Sequence, residues 1–259
     1  MNAVERIGAL FDSITFTLPR IVAAFLMLPL LNRETMPAVV RNSFFVSLAL
    51  VVYPVAMAVP FEGVARTAWP LIVLKELFIG TMFGFLFSSV FWALSAAGDL
   101  IDTKVGTNFT ATLDPLQGHQ TSLTGQLLSQ LGTFLFMASG AFTLFLNLFM
   151  TSYRVWPVGR MLPSLDVRGE QLIIGEFSNL FTLAVMLAAP ALVVMSLLDI
   201  ALGLINRFAQ QLNVFTLTMP IKAWIGTWLV ILLLATYLDV VMRHLFANRG
   251  LLRLLQHVL

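Results

Sequence analysis

The side chains able to do chemistry are few and far apart. His119, His244 and His257 stand alone, no HExxH or comparable ligand spacing occurs, and the absence of cysteine removes thiolate metal sites and disulfides. An intramembrane serine protease needs a nucleophile in a GxSxG context with a histidine at the same depth, and neither is found. Ala96-Ala97-Gly98-Asp99 lacks the first glycine of the GxGD used by aspartyl intramembrane proteases, and no Walker or Rossmann phosphate loop is present. The expectation is a chain that is not an enzyme and holds no metal or cofactor.

What remains is a pattern of polar residues on apolar segments. If the helix from Phe91 continues to Gly106, then Ser95, Asp99, Asp102 and Gly106 recur at steps of four, three and four and share one face. Asp199, Gly203, Asn206, Gln210 and Asn213 repeat the arithmetic, with Ile200, Leu204, Ile205, Phe208 and Leu212 covering the rest of that surface. A polar group left unpaired at membrane depth costs about 1 to 3 kcal/mol, and a charge costs more. Each stripe therefore predicts a lumen, a subunit interface, or a helix end emerging into solvent. Asp99, Asp102 and Asp199 would also suit a secondary transporter for a small solute as coupling carboxylates, although the two halves of the chain show no corresponding broken segments.

Between the two stripes lies GTNFTATLDPLQGHQTS, residues 106–122, rich in Thr, Gln and Gly with Asp114 its single formal charge. Gly106 and Gly118 allow unusual backbone angles, Asp114-Pro115 favours a turn, and Phe109 and Leu113 offer apolar contacts. Such a segment can be an exposed connector or a movable closure in a wet channel. Gly80 and Gly84 form a small-xxx-small pair that lets two membrane helices approach, and Lys75-Glu76 just before it reads as an interfacial, snorkelling pair.

The elements that must position these residues follow from composition. Of the 259 residues, 59% are hydrophobic and 11% charged, so fifteen basic and thirteen acidic residues cannot clothe a soluble surface. Helices in lipid are the expected answer. Leu77 to Ala97, Leu127 to Met150 and Phe177 to Leu198 are long enough to span. Leu18 to Leu31, Ser43 to Val59 and Ala223 to Leu238 are shorter or carry Pro19, Pro29 and Pro54, and suit packing inside an assembly better than facing lipid alone. With six spans, the loop carrying Arg154, Arg160 and Arg168 and the segment carrying Arg243, Arg249 and Arg253 after the last span lie on one side, and the positive-inside rule puts that side, with the C-terminus, in the cytoplasm, while Arg33, Arg41 and Lys104 argue mildly against it. A net charge of +2 with scattered basic residues excludes a nucleic-acid footprint. No repeat or low-complexity tail is visible, and a single unit over 1–259 is expected.

Several of these residues carry a family resemblance spanning nearly the whole chain. Pro19-Arg20, Leu28-Pro29, the Arg33 to Pro37 turn, Lys75-Glu76 with Gly80 and Gly84-Phe85, Gly98 to Asp102, Leu113-Asp114-Pro115, and the block Asp199 to Asn213 followed by Val214-Phe215 and Met219 to Lys222 closely resemble the SctT/FliR family of type III secretion export-apparatus proteins. The family often has proline after the arginine of that block, whereas Arg207 is followed here by Phe208-Ala209-Gln210. Val40 to Ser43, Leu48 to Leu50, Tyr53-Pro54 and Asp114 to Gly118 look more like the injectisome branch than the flagellar one.

The resemblance implies an all-α polytopic membrane protein of packed helical hairpins, part of a helical export-gate assembly in the bacterial inner membrane, within the secretion-system basal body. It implies SctR-like and SctS-like gate subunits, an SctU-like switch protein, unfolded secretion substrates and membrane lipids as partners. It also implies that loop 106–122 closes the channel, with Gly106, Phe109, Leu113, Asp114 and Pro115 as its working residues. Ser95, Asp99, Asp102, Asp199, Gly203, Asn206, Arg207, Gln210 and Asn213 would form the polar seam or subunit interface. A scaffold of the gate that never touches substrate is the alternative within the same family.

Overall fold

A computed structural model of the chain describes residues 3–30, 36–56, 69–106, 122–159, 167–208 and 214–247. Among the described residues every element is helical: α1 (Ala3–Met27), α2 (Ala38–Ala56), α3 (Trp69–Val105), α4 (Leu123–Ala138), α5 (Ala141–Val155), α6 (Val167–Phe208) and α7 (Val214–Ala247). Among the described residues four helices are long and apolar enough to cross a membrane, or five if the bent pair α4 and α5 counts as one span. The chain is thus an all-α polytopic membrane protein.

The helices overrun the apolar stretches that predict them. α3 has 37 residues and α6 has 42, so at 1.5 Å per residue they run about 55 and 63 Å, well beyond a hydrocarbon core of about 30 Å. Pro19, Pro54, Pro190 and Pro220 all lie inside helices, because an apolar surround leaves the backbone no better partner than its own ladder even where proline removes one rung. The stretch Leu127 to Met150, long enough to span, is not one continuous helix, for α4 and α5 meet at a 74° bend. Gly140 sits there at φ 77°, in the left-handed region that closes a helix and that glycine enters without steric cost.

The described residues gather into two compact units. The first takes 1–89, 137–176 and 245–259, and the second takes 90–136 and 177–244. In the first, α1 lies in the groove opened by Gly80 and Gly84 of α3. A Cβ at Gly80 would strike the Arg20 carbonyl and Ala23, and one at Gly84 would strike the Ala24 backbone and Met27. The small-xxx-small pair is therefore used within the chain itself. α2 packs on α1 and α5 through Phe45, Leu48, Ala49, Val52 and Ala56. Phe25 centres the resulting core, with Phe44, Phe45, Phe145 and Phe149 around it at ring separations of 5.3, 5.9, 5.4 and 6.3 Å, mostly edge to face.

In the second unit α3 and α4 run antiparallel and almost touching. Gly98 faces Gly125 so closely that neither position has room for a Cβ, and Gly132 faces Leu94 and Phe91. α7 runs antiparallel to α6: the Tyr237 hydroxyl donates to the Leu187 carbonyl at 3.3 Å, while Gly226 lies against Met195 of α6 and Val105 of α3. Leu187, Ala188, Ala191 and Met195 form the buried face of α6 at helical spacing.

Candidate functional site

The first polar stripe is built where α3 ends and α4 begins. Ser122 is the N-cap of α4. Its Oγ accepts the Gly125 N–H at 2.8 Å and donates to Asp102 Oδ2 at 2.6 Å. Thr124 adds its own N–H to Oδ2 at 3.0 Å and its hydroxyl to Oδ1 at 2.5 Å. Asp102, buried and 6% exposed, thus sets its carboxylate against the N-terminus of α4, where two backbone N–H groups would otherwise lack partners and the helix dipole favours negative charge. A Cβ on Gly125 would meet Asp99 Oδ1, the Ser95 carbonyl and Ser122 Oγ, so Ser95, Asp99 and Asp102 all border α4. Asp99 itself is exposed and Ser95 half-buried.

The backbone of Asp102 also fixes the other end of the following segment. Its carbonyl accepts the Gly106 N–H at 3.0 Å, and Gly106 stops α3 at φ 96°, a left-handed angle suited to glycine. The chain therefore leaves at Gly106 and returns at Ser122 with both ends bonded to one residue. Phe109, Leu113, Asp114 and Pro115, named from the sequence as closure residues, lie outside the described residues.

The second stripe starts at an ionic triad. Asp199 of α6 pairs with Lys222 of α7, and with Lys104 of α3 at 3.2 Å. Lys222 also reaches the Lys104 carbonyl at 3.5 Å, so the group ties three helices together at one level. Asp199 and Lys104 are each about a third exposed, so water screens the triad and its direction matters more than its strength, about 0 to 1 kcal/mol per pair. Gly203, Asn206 and Arg207 continue the stripe and are exposed, while Gln210 and Asn213 lie outside the described residues.

Sequence reasoning did not find the largest fully buried polar side chain among the described residues. Arg20, fully buried, forks onto Glu76, Nε to Oε2 at 2.6 Å and Nη2 to Oε1 at 3.0 Å. It also donates to Ser152 Oγ at 3.1 Å and the Trp156 carbonyl at 2.8 Å, and lies 4.1 Å over the Tyr153 ring. Lys75 bonds Glu76 at 2.8 Å and the carbonyls of Pro157 and Val158 at 3.2 and 2.9 Å. Two cations face one carboxylate, and the surplus positive charge meets the carbonyls that follow the C-terminus of α5, the negative end of that helix dipole. The snorkelling reading of Lys75-Glu76 is corrected accordingly: Glu76 is 0% and Lys75 8% exposed, because Arg20 supplies inside the protein the counter-charge that water would have supplied outside it. The signal was available, since an arginine and a glutamate on apolar segments each demand a partner and α1 and α3 each carry one of them.

With the geometry in place, comparison with known proteins gives a consistent answer. Residues 11–248 match the profile of the family described as bacterial export proteins, family 1. The chain is 38% identical over 219 residues to Yop proteins translocation protein T of Yersinia pestis, covering 84% of each chain. It is 36% identical over 205 residues to the secretion system apparatus protein SsaT of Salmonella typhimurium, covering 76% of this chain and 77% of that one. Against the flagellar biosynthetic protein FliR of Bacillus subtilis the identity is 27% over 239 residues, 92% of each chain. An all-helical membrane chain with its polar stripes at α3, α4 and α6, matched along nearly its whole length, belongs to the family of bacterial export proteins, family 1, the SctT/FliR proteins of the type III secretion export apparatus.

Proposed function

We propose that this chain is a subunit of the inner-membrane export gate of a bacterial type III secretion system, of the injectisome branch, and forms part of the channel for unfolded secreted proteins. Residues 106–122 are the closure element of that channel. The observation that carries this reading is the double attachment at Asp102: the carboxylate holds Ser122 and Thr124, the carbonyl holds Gly106, and a hydratable segment runs between two fixed ends. A segment anchored at both ends can change conformation while α3 and α4 stay together. Gating is then a population shift, in which an unfolded substrate or another gate component binds the open arrangement better and displaces the closure.

SctR-like and SctS-like subunits surround the chain in this reading, an SctU-like switch protein contacts the base of the gate, and lipids cover what remains. The exposed faces of α6 and α7, with Phe177, Phe181, Val185, Met186 and Val193 on one and Trp224, Trp228, Ile231 and Leu232 on the other, supply the surface for that packing. The test is to shorten Thr107 to Thr121 in the assembled gate, keeping Gly106 and Ser122. Ion conductance across the membrane rises while the gate still assembles; an assembled mutant with unchanged conductance refutes the closure role. A crosslink from Phe109 or Leu113 to a stalled substrate separates a channel wall from a scaffold, because a scaffold gives none.

A further inference from the structure

The last turn of α3, from which the chain leaves at Gly106, is gripped from a second side. α6 and α7 run antiparallel in a register that sets Met195 against Gly226 and Asp199 against Lys222, one turn apart on each helix. Lys104 and Val105 of α3 enter this junction together. Lys104 Nζ reaches Asp199 Oδ2 at 3.2 Å, the Lys104 carbonyl accepts from Lys222 Nζ at 3.5 Å, and a Cβ at Gly226 would lie 2.9 Å from Val105 Cγ2. Asp102, on the same turn, bonds Ser122 and Thr124, so the start of α4 travels with the end of α3.

Two ammonium groups share one carboxylate, and they share it unequally. Lys222, 12% exposed, closes on Asp199 inside a helix pair that the Tyr237 bond to Leu187 already ties, whereas Lys104, 38% exposed, is the arm open to water. A partly desolvated carboxylate that loses its sole cation is left unpaired, which makes a simple ion pair hard to open. Here Lys104 can swing into water on its flexible stem while Lys222 keeps Asp199 paired, so detaching α3 strands no charge. We propose that Lys104, Asp199 and Lys222 form an ionic latch. With Lys104 engaged, the last turn of α3 is docked on α6 and α7 and the channel is closed; passage of an unfolded chain requires Lys104 to disengage while Lys222 stays. The inference rests on the export-gate reading and adds to it the contact that must break.

The two lysines give the test its sign. In the assembled gate, Lys104→Gln frees α3 and raises resting ion conductance severalfold, whereas Lys222→Gln leaves Asp199 dependent on Lys104 alone, so the latch tightens and secretion falls with no rise in conductance. A bridge that merely stabilises the fold moves both variants the same way. The chain has no cysteine, so Val105→Cys with Gly226→Cys supplies its sole thiol pair, at positions close enough for a disulfide. Oxidation of that pair is expected to lower secretion of an unfolded reporter by about tenfold or more, and reduction to restore it, with each single variant secreting as the wild type. Lysine variants that shift conductance in the same direction, a pair that does not oxidise in the resting gate, or an oxidised gate that secretes at the wild-type rate overturn the latch. Any of these, with conductance still raised by shortening Thr107 to Thr121, sinks the latch and leaves the export-gate reading standing; a wild-type chain that supports no secretion alongside its gate subunits sinks both.

Discussion

Asp102 illustrates how one side chain serves two elements. Its carboxylate replaces water at the start of α4, and the three bonds it accepts come from groups that have no helical partner of their own. Asp102→Ala should lower the stability of the purified protein by about 2 kcal/mol or more, the sum of a lost cap and unpaired donors near a buried position. Asp102→Asn, which keeps one acceptor oxygen and loses the charge, should cost roughly half as much. The midpoint of denaturant-driven unfolding in detergent measures both, and an alanine variant that unfolds with the wild type would show that the cap is idle. Arg20 and Glu76 make the complementary point. Their pairing is enforced by burial, since either ion left alone at that depth would be far costlier than the pair.

At the scale of elements, the helices are held by what is missing from glycine. Gly98 and Gly125 let α3 and α4 approach until their backbones nearly touch, and this closeness brings Asp102 within bonding distance of Thr124. Gly98→Ala should therefore separate the two helices and destabilise the chain by about 1 to 3 kcal/mol, the usual cost of overpacking. Gly203→Ala meets open space within this chain and should leave the isolated protein unchanged, or stabilise it by about 0.5 to 1 kcal/mol through helix propensity. The two thermal melts, run side by side on purified protein, test the contrast; equal destabilisation by both would contradict it. The 74° bend between α4 and α5 has the same origin, for Gly140 supplies a backbone angle that no periodicity of apolar residues announces.

For the molecule as a whole, the exposed apolar faces of α6 and α7 exceed what a solitary soluble chain tolerates, and the polar end of α6 is out of place against lipid. Concentrated without partners, the chain should self-associate on size exclusion, and with the proposed gate subunits it should elute as a single symmetric peak; a concentrated chain that stays monodisperse on its own would show that lipid or detergent alone completes it. The helical fold and the membrane setting were legible in the sequence, because 59% hydrophobic residues in long runs have few other solutions, and the family resemblance was carried above all by Leu113-Asp114-Pro115 and the block from Asp199 to Asn213. The sequence also determined which residues share a helix face, since 3.6 residues per turn is a local rule. Only the tertiary structure decided which charge meets which: Arg20 with Glu76, 56 residues apart, and Asp199 with both Lys104 and Lys222. Such pairings depend on how closely and in what register helices pack, and that is set by glycine contacts and side-chain volumes summed over many residues, a property no single segment contains.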